Sequence, residues 1–263
     1  MTAITSAGRT ARERARAELT REIKQEARRQ LAAHGAEGLS LRAVARELGM
    51  VSSALYRYFP SRDELLTALI IDAYDALGDT AEAADAGRPP ADIRGRWEAT
   101  CHAVREWALA HPHEYALIYG SPVSGYRAPQ ATVAPATRVA RVAGGQVADA
   151  WHETRETGGD VPGASATESR PSRPPLPPEL AGQAALVADA IAPGVPEAMI
   201  ARLLIAWTQL FGMISFELFG QLVGSADPAD AFFGYAVEQM ADFIGLPSRD
   251  RGGADSGNGR AGR

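Results

Sequence analysis

Residues 38–66 read GLSLRAVARELGMVSSALYRYFPSRDELL, and this stretch decides the fold of the region around it. Ser40 is placed to cap a short helix at residues 41–48, because its side-chain oxygen can accept a free N–H of the first turn. Gly49 then permits a tight turn, since glycine adopts a positive φ without strain. A second short helix follows at about residues 52–58. The stretch therefore predicts two short helices joined by a tight turn.

Longer helices are predicted on both sides of this pair. Residues 12–34 carry apolar side chains at i,i+4 spacing on one face, and Gly35 is placed to end that helix. Beyond the pair, Ser61 and Glu64 have the spacing of a capping box, which opens a long helix at residues 62–84. We therefore expect the N-terminal region to be a compact unit of three helices followed by a connecting helix.

The remainder of the chain also reads as helices separated by glycine and proline. No stretch shows sustained alternation of apolar and polar residues, and β-branched residues are sparse, so strands are not expected. The fold is predicted to be all-α, with an N-terminal helix-turn-helix domain and a larger C-terminal helical bundle. Further helices are expected at about residues 91–110, 112–119, 135–157, 179–191, 197–223 and 228–245.

The net charge hides an asymmetry along the chain. The whole chain has 27 Lys and Arg against 32 Asp and Glu, a net charge of −5. Residues 1–62 nevertheless hold 12 basic and 6 acidic residues, which leaves +6 at this end and −11 on the remainder. A basic head on an acidic body allows one end of the protein to approach a polyanion. Solvated faces of arginine-rich helices would give the same count, so the asymmetry alone does not identify DNA as the partner.

Some side chains of the second short helix do not face the core, and these indicate a contact with nucleic acid. Tyrosine hydroxyls can bind phosphates, and arginine bound to guanine is the commonest specific base contact, which makes Arg57 the candidate base reader. Arg42 and Arg62 flank the helix pair and are placed to clamp the DNA backbone. The outward-facing or end positions are Val51, Ser52, Ser53, Tyr56, Arg57 and Tyr58.

Two other interpretations of the same helices stay open. The pair can be a structural hairpin whose tyrosines pack on a neighbouring element. It can also be an adaptor that docks a protein through Tyr56 and Tyr58, in which case DNA would not protect these tyrosines from chemical modification.

The run Leu-Tyr-Arg-Tyr-Phe-Pro-Ser-Arg at residues 55–62 resembles the N-terminal domain of the tetracycline-repressor (TetR) family. The resemblance covers residues 15–75 strongly and the rest more loosely, and Trp-Thr-Gln-Leu-Phe-Gly at residues 207–212 is similar to a subgroup of that family. It implies a homodimeric, ligand-responsive transcription regulator, usually a repressor, that binds a palindromic DNA operator. By matching position, it assigns backbone contacts to Ser40, Arg42, Tyr56, Tyr58 and Arg62, and groove contacts to Val51, Ser52, Ser53 and Arg57.

Val51 departs from the family pattern. Many members have Ser-Pro where this chain has Val51-Ser52, and valine has no side-chain oxygen with which to cap a helix. The recognition helix is therefore expected to start at Ser52.

The chain is expected to divide into four regions. The arginines of the first region can enter a minor groove beside the operator, or they belong to a terminus without order. The regions are a flexible basic arm at 1–17, the helix-turn-helix DNA-binding domain at 18–80, a ligand-binding and dimerisation domain at 81–247 with a proline-rich linker at 158–178, and a disordered tail at 248–263.

The predicted helix at residues 197–223 is apolar on nearly every side, which indicates burial on every side. One face can meet its own core, and the other then needs a partner. Together with residues 228–245, it predicts a two-fold homodimer built as a four-helix bundle. A core helix of a monomer is the alternative.

The C-terminal domain is also the expected site of a small, apolar effector. Ligand pockets are mostly apolar with a few polar anchors, although an ordinary core has the same composition. The candidate ligand residues are Trp97, Cys101, Tyr115, Tyr119, Trp151, Trp207, Phe211 and Glu217.

Several functional classes find no support in the sequence. Cys101 is the single cysteine, no two histidines have the i,i+4 spacing of a helical zinc site, and no phosphate-binding loop or nucleophile elbow is present. We therefore expect no enzyme activity, metal or cofactor. The longest uncharged apolar run, residues 203–216, is too short to span a membrane, and no secretory pattern is seen, so a cytoplasmic protein is expected. A helical small-molecule-binding protein or enzyme with an incidental basic N-terminal domain stays the alternative, and it predicts no salt-dependent affinity for DNA.

Overall fold

The computed structural model describes residues 11–156 and 176–248. Within these ranges every regular element is a helix, with a single 3₁₀ turn at Gln130–Thr132. The α-helices are α1 (Ala11–His34), α2 (Leu41–Glu47), α3 (Ser52–Leu55), α4 (Arg62–Ala86), α5 (Ile93–Ala110), α6 (Pro112–Tyr119), α7 (Val133–Ala136), α8 (Arg138–Glu156), α9 (Pro178–Ile191), α10 (Glu197–Leu218) and α11 (Ala229–Ile244).

The structure confirms the local signals that end and begin the N-terminal helices. Gly35 and Gly49 have φ angles of 69° and 63°, so both occupy the left-handed region that favours glycine. Ser40 caps α2 by accepting the backbone N–H of Ala43, and the Ser61 hydroxyl accepts the N–H of Glu64 at 3.1 Å. These short-range bonds fix where the chain turns.

Two predicted boundaries were wrong. Residues 11–17 do not form a flexible arm, because α1 already begins at Ala11. The recognition helix ends earlier than residue 58, since α3 stops at Leu55 and the chain continues as a turn in which the Tyr58 N–H donates to the Leu55 carbonyl at 2.8 Å. The rest of the predicted arm, most of the proline-rich linker (157–175) and the predicted tail from residue 249 onward lie outside the described residues.

The chain forms two compact units. The described residues of Met1–Gly78 and Trp107–Thr137 form unit 1, and those of Asp79–Glu106 and Arg138–Arg263 form unit 2. The first segment of unit 1 ends at Gly78, and residues 107–137, which the sequence placed in the second domain, pack within unit 1. The reason is apolar packing on the core of unit 1 by Leu117, Ile118, Val123 and Tyr126.

The core of unit 1 is built from one face of each helix. Ile23 and Ala27 on α1, Val44 on α2 and Leu55 on α3 are fully buried. Leu65, on the first turn of α4, completes this cluster. The recognition helix is thus fixed at a single buried residue, and its remaining side chains are free to face outward.

In unit 2, α10 packs against α8, α9 and α11. The approach of α8 to α9 depends on Gly144, which is buried. A Cβ atom at Gly144 would lie 2.5 Å from the backbone oxygen of Ile191, closer than real Cβ atoms come to any heavy atom. Glycine is therefore required at this contact.

Replacing Gly144 with alanine is expected to lower the free energy of unfolding by about 1–3 kcal/mol, because backbone must shift to admit the methyl group. The neighbouring Gly145 is a matched control, since a Cβ atom there meets nothing within 4 Å. Gly145→Ala should leave stability equal or raise it by up to about 1 kcal/mol through helix propensity. Urea unfolding of the two variants measures the difference, and equal midpoints would contradict the packing argument.

By length and composition, α10 is long and apolar enough to cross a membrane, and it is the one such helix among the described residues. Half of the apolar stretch of α10 is buried inside the protein, and core helices can have the same length and composition.

Candidate nucleic-acid interface

The outer surface of α3 carries the side chains that the sequence singled out. Leu55 is buried and Phe59 is nearly so, and these two anchor the segment to the core of unit 1. Tyr56 and Arg57 are exposed beside them, and Val51 is 71% exposed. The segment therefore presents one aromatic and one cationic side chain to solvent on a rigid support.

Arg57 and Arg42 have no ion-pair partner in the part of the chain that the structure describes. Both are exposed, Arg42 on α2 and Arg57 in the turn after α3. By contrast, Arg21, Arg29 and Arg46, which are also exposed in unit 1, each pair with a nearby glutamate. An arginine that has no internal carboxylate keeps all of its donors for an external acceptor, such as a base edge or a phosphate.

Tyr58 is partly buried, with its ring packed against the core of unit 1. The guanidinium carbon of Arg16 on α1 lies 5.3 Å from the centre of the ring, within the range of a cation–π contact. The ring thus lies between the core and a cation.

The start of α3 is as the sequence predicted. Val51 occupies the cap position with no side-chain hydrogen bond, and α3 begins at Ser52. Ser53 is exposed and Ser52 is half-buried. Ser40, predicted as a phosphate contact, is half-buried and its hydroxyl caps α2.

Arg62 is placed differently from the other predicted DNA contacts. Its guanidinium donates to the carbonyl of Ala36 at 2.8 Å and to that of Leu39 at 3.3 Å, and it lies 3.6 Å from Asp63. The side chain thereby ties the start of α4 to the loop between α1 and α2. From this geometry we propose a structural role for Arg62 in place of the predicted clamp on the DNA backbone.

Replacing Arg62 with alanine is therefore expected to lower the free energy of unfolding by about 1–2 kcal/mol, because two carbonyls lose a charged donor. The salt dependence of DNA binding should not change. Arg42→Ala is the matched control, with unchanged stability and a slope of log K against log salt that is smaller by about 0.9 for each phosphate no longer bound. Urea unfolding and binding titrations at several salt concentrations separate the two roles. A smaller slope for Arg62→Ala would contradict the structural role that we assign to Arg62.

The predicted ligand residues are divided between the two units. Tyr115 and Tyr119 belong to unit 1, where their ring centres lie 5.3 Å apart, and burial raises the pKa of the Tyr119 hydroxyl. The other six belong to unit 2 and are Trp97, Cys101, Trp151, Trp207, Phe211 and Glu217. A single site made of all eight residues is therefore not supported within either unit.

Three of the candidates in unit 2 are buried or bound to other residues of the protein. The indole of Trp97 is buried and donates to the Val237 carbonyl at 3.2 Å. Cys101 is buried, and burial raises the pKa of its thiol, so the thiol stays protonated. Glu217, predicted as a polar anchor for a ligand, instead accepts two hydrogen bonds from the buried Arg105, one of them at 2.7 Å.

Arg105 is the reason that Glu217 is engaged. The guanidinium also contacts Asp230 at 2.6 Å and lies over the ring of Phe233 at 5.0 Å. Hydrogen bonds from Arg105 to Glu217 raise the pKa of the guanidinium. The cluster joins α5 to α10 and α11, and both carboxylate oxygens of Glu217 accept from Arg105.

The remaining candidates, Trp151, Trp207 and Phe211, are less constrained. Trp207 is half-buried, with its ring centre 4.6 Å from that of Phe211. The buried Nε1 atom of Trp151 has no hydrogen-bond partner among the residues that the structure describes. These aromatic side chains can still border a ligand.

Gln146 on α8 was not singled out from the sequence. Its side-chain nitrogen donates to Asp85 at 2.7 Å and to Thr100 at 2.9 Å, while its oxygen is buried without a partner in the described ranges. Rotating the amide by 180° would place the oxygen against the Asp85 carboxylate, so the orientation is fixed. The sequence did offer a signal for Gln146. It is a polar residue beside a stripe of apolar residues on α8, at positions 139, 143, 147 and 150, all of which are buried.

Comparison with known proteins identifies two family models that match different parts of the chain. Residues 97–240 match a model described as the C-terminal domain of tetracyclin repressor-like proteins. Residues 23–69 match a model described as bacterial regulatory proteins of the tetR family.

Individual proteins are similar to this chain over different shares of their length. An HTH-type transcriptional regulator of Mycobacterium bovis is 52% identical over 130 residues, which are 48% of this chain and 54% of the relative. The HTH-type transcriptional repressor DrrR1 of Streptomyces coeruleorubidus is 36% identical over 98 residues, 35% of this chain and 33% of the repressor. The chain therefore spans about half the length of its mycobacterial relative.

Solved structures are similar over most of the chain. The regulatory protein SCO4313 has a TM-score of 0.66 and 33% identity, over 89% of this chain and 100% of that protein. A protein from Rhodococcus sp. RHA1 has a TM-score of 0.61 and 24% identity, over 88% of this chain and 96% of its own, and supports the fold alone.

Proposed function

Because the chain belongs to the tetR family of bacterial regulatory proteins, we propose that it is a transcription regulator that binds operator DNA through α2 and α3. The observation that carries this proposal is the exposed Arg57 beside Tyr56, on a segment anchored by buried Leu55 and free of internal ion pairs among the described residues. Arg57 reads a base edge in the major groove, where arginine recognises guanine.

The other contacts position the protein on the duplex. Phosphates are bound by the Tyr56 and Tyr58 hydroxyls and by Arg42, while Ser40 offers its hydroxyl at the cap of α2. The first turn of α3 lies against the groove through Val51, Ser52 and Ser53.

We propose that two copies bind DNA together through α10 and α11. Ile205 and Phe216 on α10 and Tyr235 on α11 are large apolar or aromatic residues that are each more than half exposed. Gly212 and Gly234, on the same two helices, have nothing within 4 Å of a Cβ position, which lowers the surface for a close helix contact. Pairing these faces across a two-fold axis forms a four-helix bundle and presents two recognition helices to a palindromic operator.

The regulator is proposed to be a repressor that a small apolar effector releases from DNA. The unpaired buried oxygen of Gln146 supports an effector that carries a hydrogen-bond donor, because an unpaired buried acceptor gains a partner on binding. Trp151, Trp207 and Phe211 supply aromatic surface in the same unit.

Release requires that the effector prefer a conformation with a different spacing of the recognition helices. Two features of the chain support transmission to the DNA-binding helices. α4 is one continuous helix with residues in both units, and Arg28 on α1 binds Asp72 on α4 and Glu114 on α6 at 2.6 and 2.7 Å. A shift of α4 or α6 therefore acts directly on α1.

A band-shift assay tests the proposed function. The full chain is mixed with DNA from immediately upstream of its own gene at moderate salt, with unrelated DNA of equal length as competitor. A complex that survives the competitor is the expected result. Complete displacement by unrelated DNA would contradict the operator proposal, and an absence of salt-dependent binding would favour a helical small-molecule-binding protein.

A further inference from the structure

The first two turns of α1 extend beyond the core of unit 1. The first residue of α1 that packs against the core is Leu19, and the first fully buried one is Ile23. The side chains of residues 12–16 are all exposed. A helix that continues for two turns without core contacts is expected to fray, so a local contact must hold it.

One contact of this extension is made to the recognition segment. Arg16 lies over the ring of Tyr58, and Tyr58 lies in the turn that follows α3. The start of α1 is therefore adjacent to the surface proposed to bind DNA, and not to a remote part of unit 1.

Arg12 lies on the same face of α1 as Arg16, four residues earlier. Residues at i and i+4 on a helix are neighbours, separated by about 6 Å along the axis. Arg12 is exposed and has no ion-pair partner among residues 11–156 and 176–248. The two arginines thus place two cations on the side of α1 that meets Tyr58, one turn of the helix apart.

We propose that the start of α1 is a second DNA-contact element, in which Arg12 binds a backbone phosphate of the operator flank. Arg16 is its positioning residue, since it fixes the extension on Tyr58. The proposal rests on the proposed function, because the duplex on α3 is the polyanion that brings phosphates to this face. The contact is made by an ordered helix and carries no sequence preference, because the acceptor is a phosphate.

An acidic protein surface is the other occupant that this pair of arginines would fit. DNA is favoured because Tyr56, Arg57 and Arg42 on the same unit offer a phenolic hydroxyl and unpaired cations of the kind that bind phosphate and bases. Binding to long and to trimmed duplexes distinguishes DNA from an acidic protein as the occupant. Only if Arg12 contacts DNA does the effect of replacing Arg12 depend on the length of the duplex.

The test measures operator affinity of the full-length chain at several salt concentrations, with synthetic duplexes that carry the selected operator and either long or trimmed flanks. On long duplexes, Arg12→Ala should reduce the slope of log K against log salt by about 0.9 for each phosphate that the variant no longer binds. On duplexes trimmed to the sequence under α3, the variant and the unchanged protein should have the same slope. Arg12→Lys should retain most of the slope.

Arg21→Ala is the matched control. Arg21 is an exposed arginine on the same helix, and it pairs with the exposed Glu18. This variant should keep the original slope on both duplexes. Melting temperatures of all three variants should equal that of the unchanged protein, because neither Arg12 nor Arg21 contacts the core.

A slope for Arg12→Ala equal to that of the unchanged protein on long duplexes would overturn the inference, and so would an equal reduction for Arg21→Ala. Both outcomes leave the proposed function intact, because they require operator binding by the unchanged protein. If the unchanged protein binds no operator, the proposed function itself fails.

Discussion

Arg57→Ala is expected to weaken binding to the selected operator by about 5- to 150-fold, which corresponds to about 1–3 kcal/mol. Arg57 is exposed, has no internal ion pair among the described residues and lies next to the anchored end of α3. Its guanidinium can therefore donate both bonds of a bidentate contact to guanine. Removing such a contact also relaxes sequence preference, so that binding to operators with a substitution at the contacted base falls much less.

The control for this prediction is Arg141→Ala. Arg141 is an exposed arginine on α8 in unit 2, so its removal changes the net charge equally without touching α3. Titrations against the operator and against a set of single-base variants measure the two effects. If Arg57→Ala weakened all sequences by the same factor, Arg57 would be a phosphate contact and our assignment of base reading would be wrong.

Phe216→Glu is expected to dissociate the dimer and to lower operator affinity by roughly 100-fold or more, because a monomer loses the second, linked half-site. Phe216 is 55% exposed on the face of α10 that we assign to the two-fold contact. A carboxylate there would be buried without a partner in the four-helix bundle, and burial of an unpaired charge is strongly unfavourable.

Leu186→Glu serves as the comparison for the dimer prediction. Leu186 is 73% exposed on α9, so the change is chemically the same but lies outside α10 and α11. Light scattering should give a monomer for Phe216→Glu and a dimer for Leu186→Glu, with both chains folded by circular dichroism. A dimer in both variants would place the interface elsewhere.

The parts of the fold that depend on neighbouring residues were predictable from the sequence. Ser40 caps α2, Gly49 takes a positive φ and α3 starts after Val51, each because of chemistry within four residues of the position concerned. The all-helical class followed from the same local signals.

Features that depend on partners distant in the sequence were not predictable. Arg62 has the composition of a DNA clamp, but its acceptors are carbonyls of residues 36 and 39, which only the fold brings to it. Glu217 was expected to be free because Arg105, 112 positions away, gave no local sign of pairing with it. The assignment of residues 107–137 to unit 1 likewise depends on packing between segments.

The start of α1 is an intermediate case. Its arginines were visible in the sequence, but composition alone did not distinguish an unordered arm from a helix. The contact of Arg16 with Tyr58 removes that ambiguity for residues 11–17, because it gives the extension a fixed position beside the recognition segment.

Selection of bound fragments from the native genome tests the central claim most directly, because it requires the complete chain to recognise a defined sequence. The account predicts a palindromic motif with two half-sites about 10 base pairs apart, and its enrichment should disappear in Phe216→Glu. Fragments that share no motif, or a motif with a single half-site that Phe216→Glu binds equally well, would contradict it.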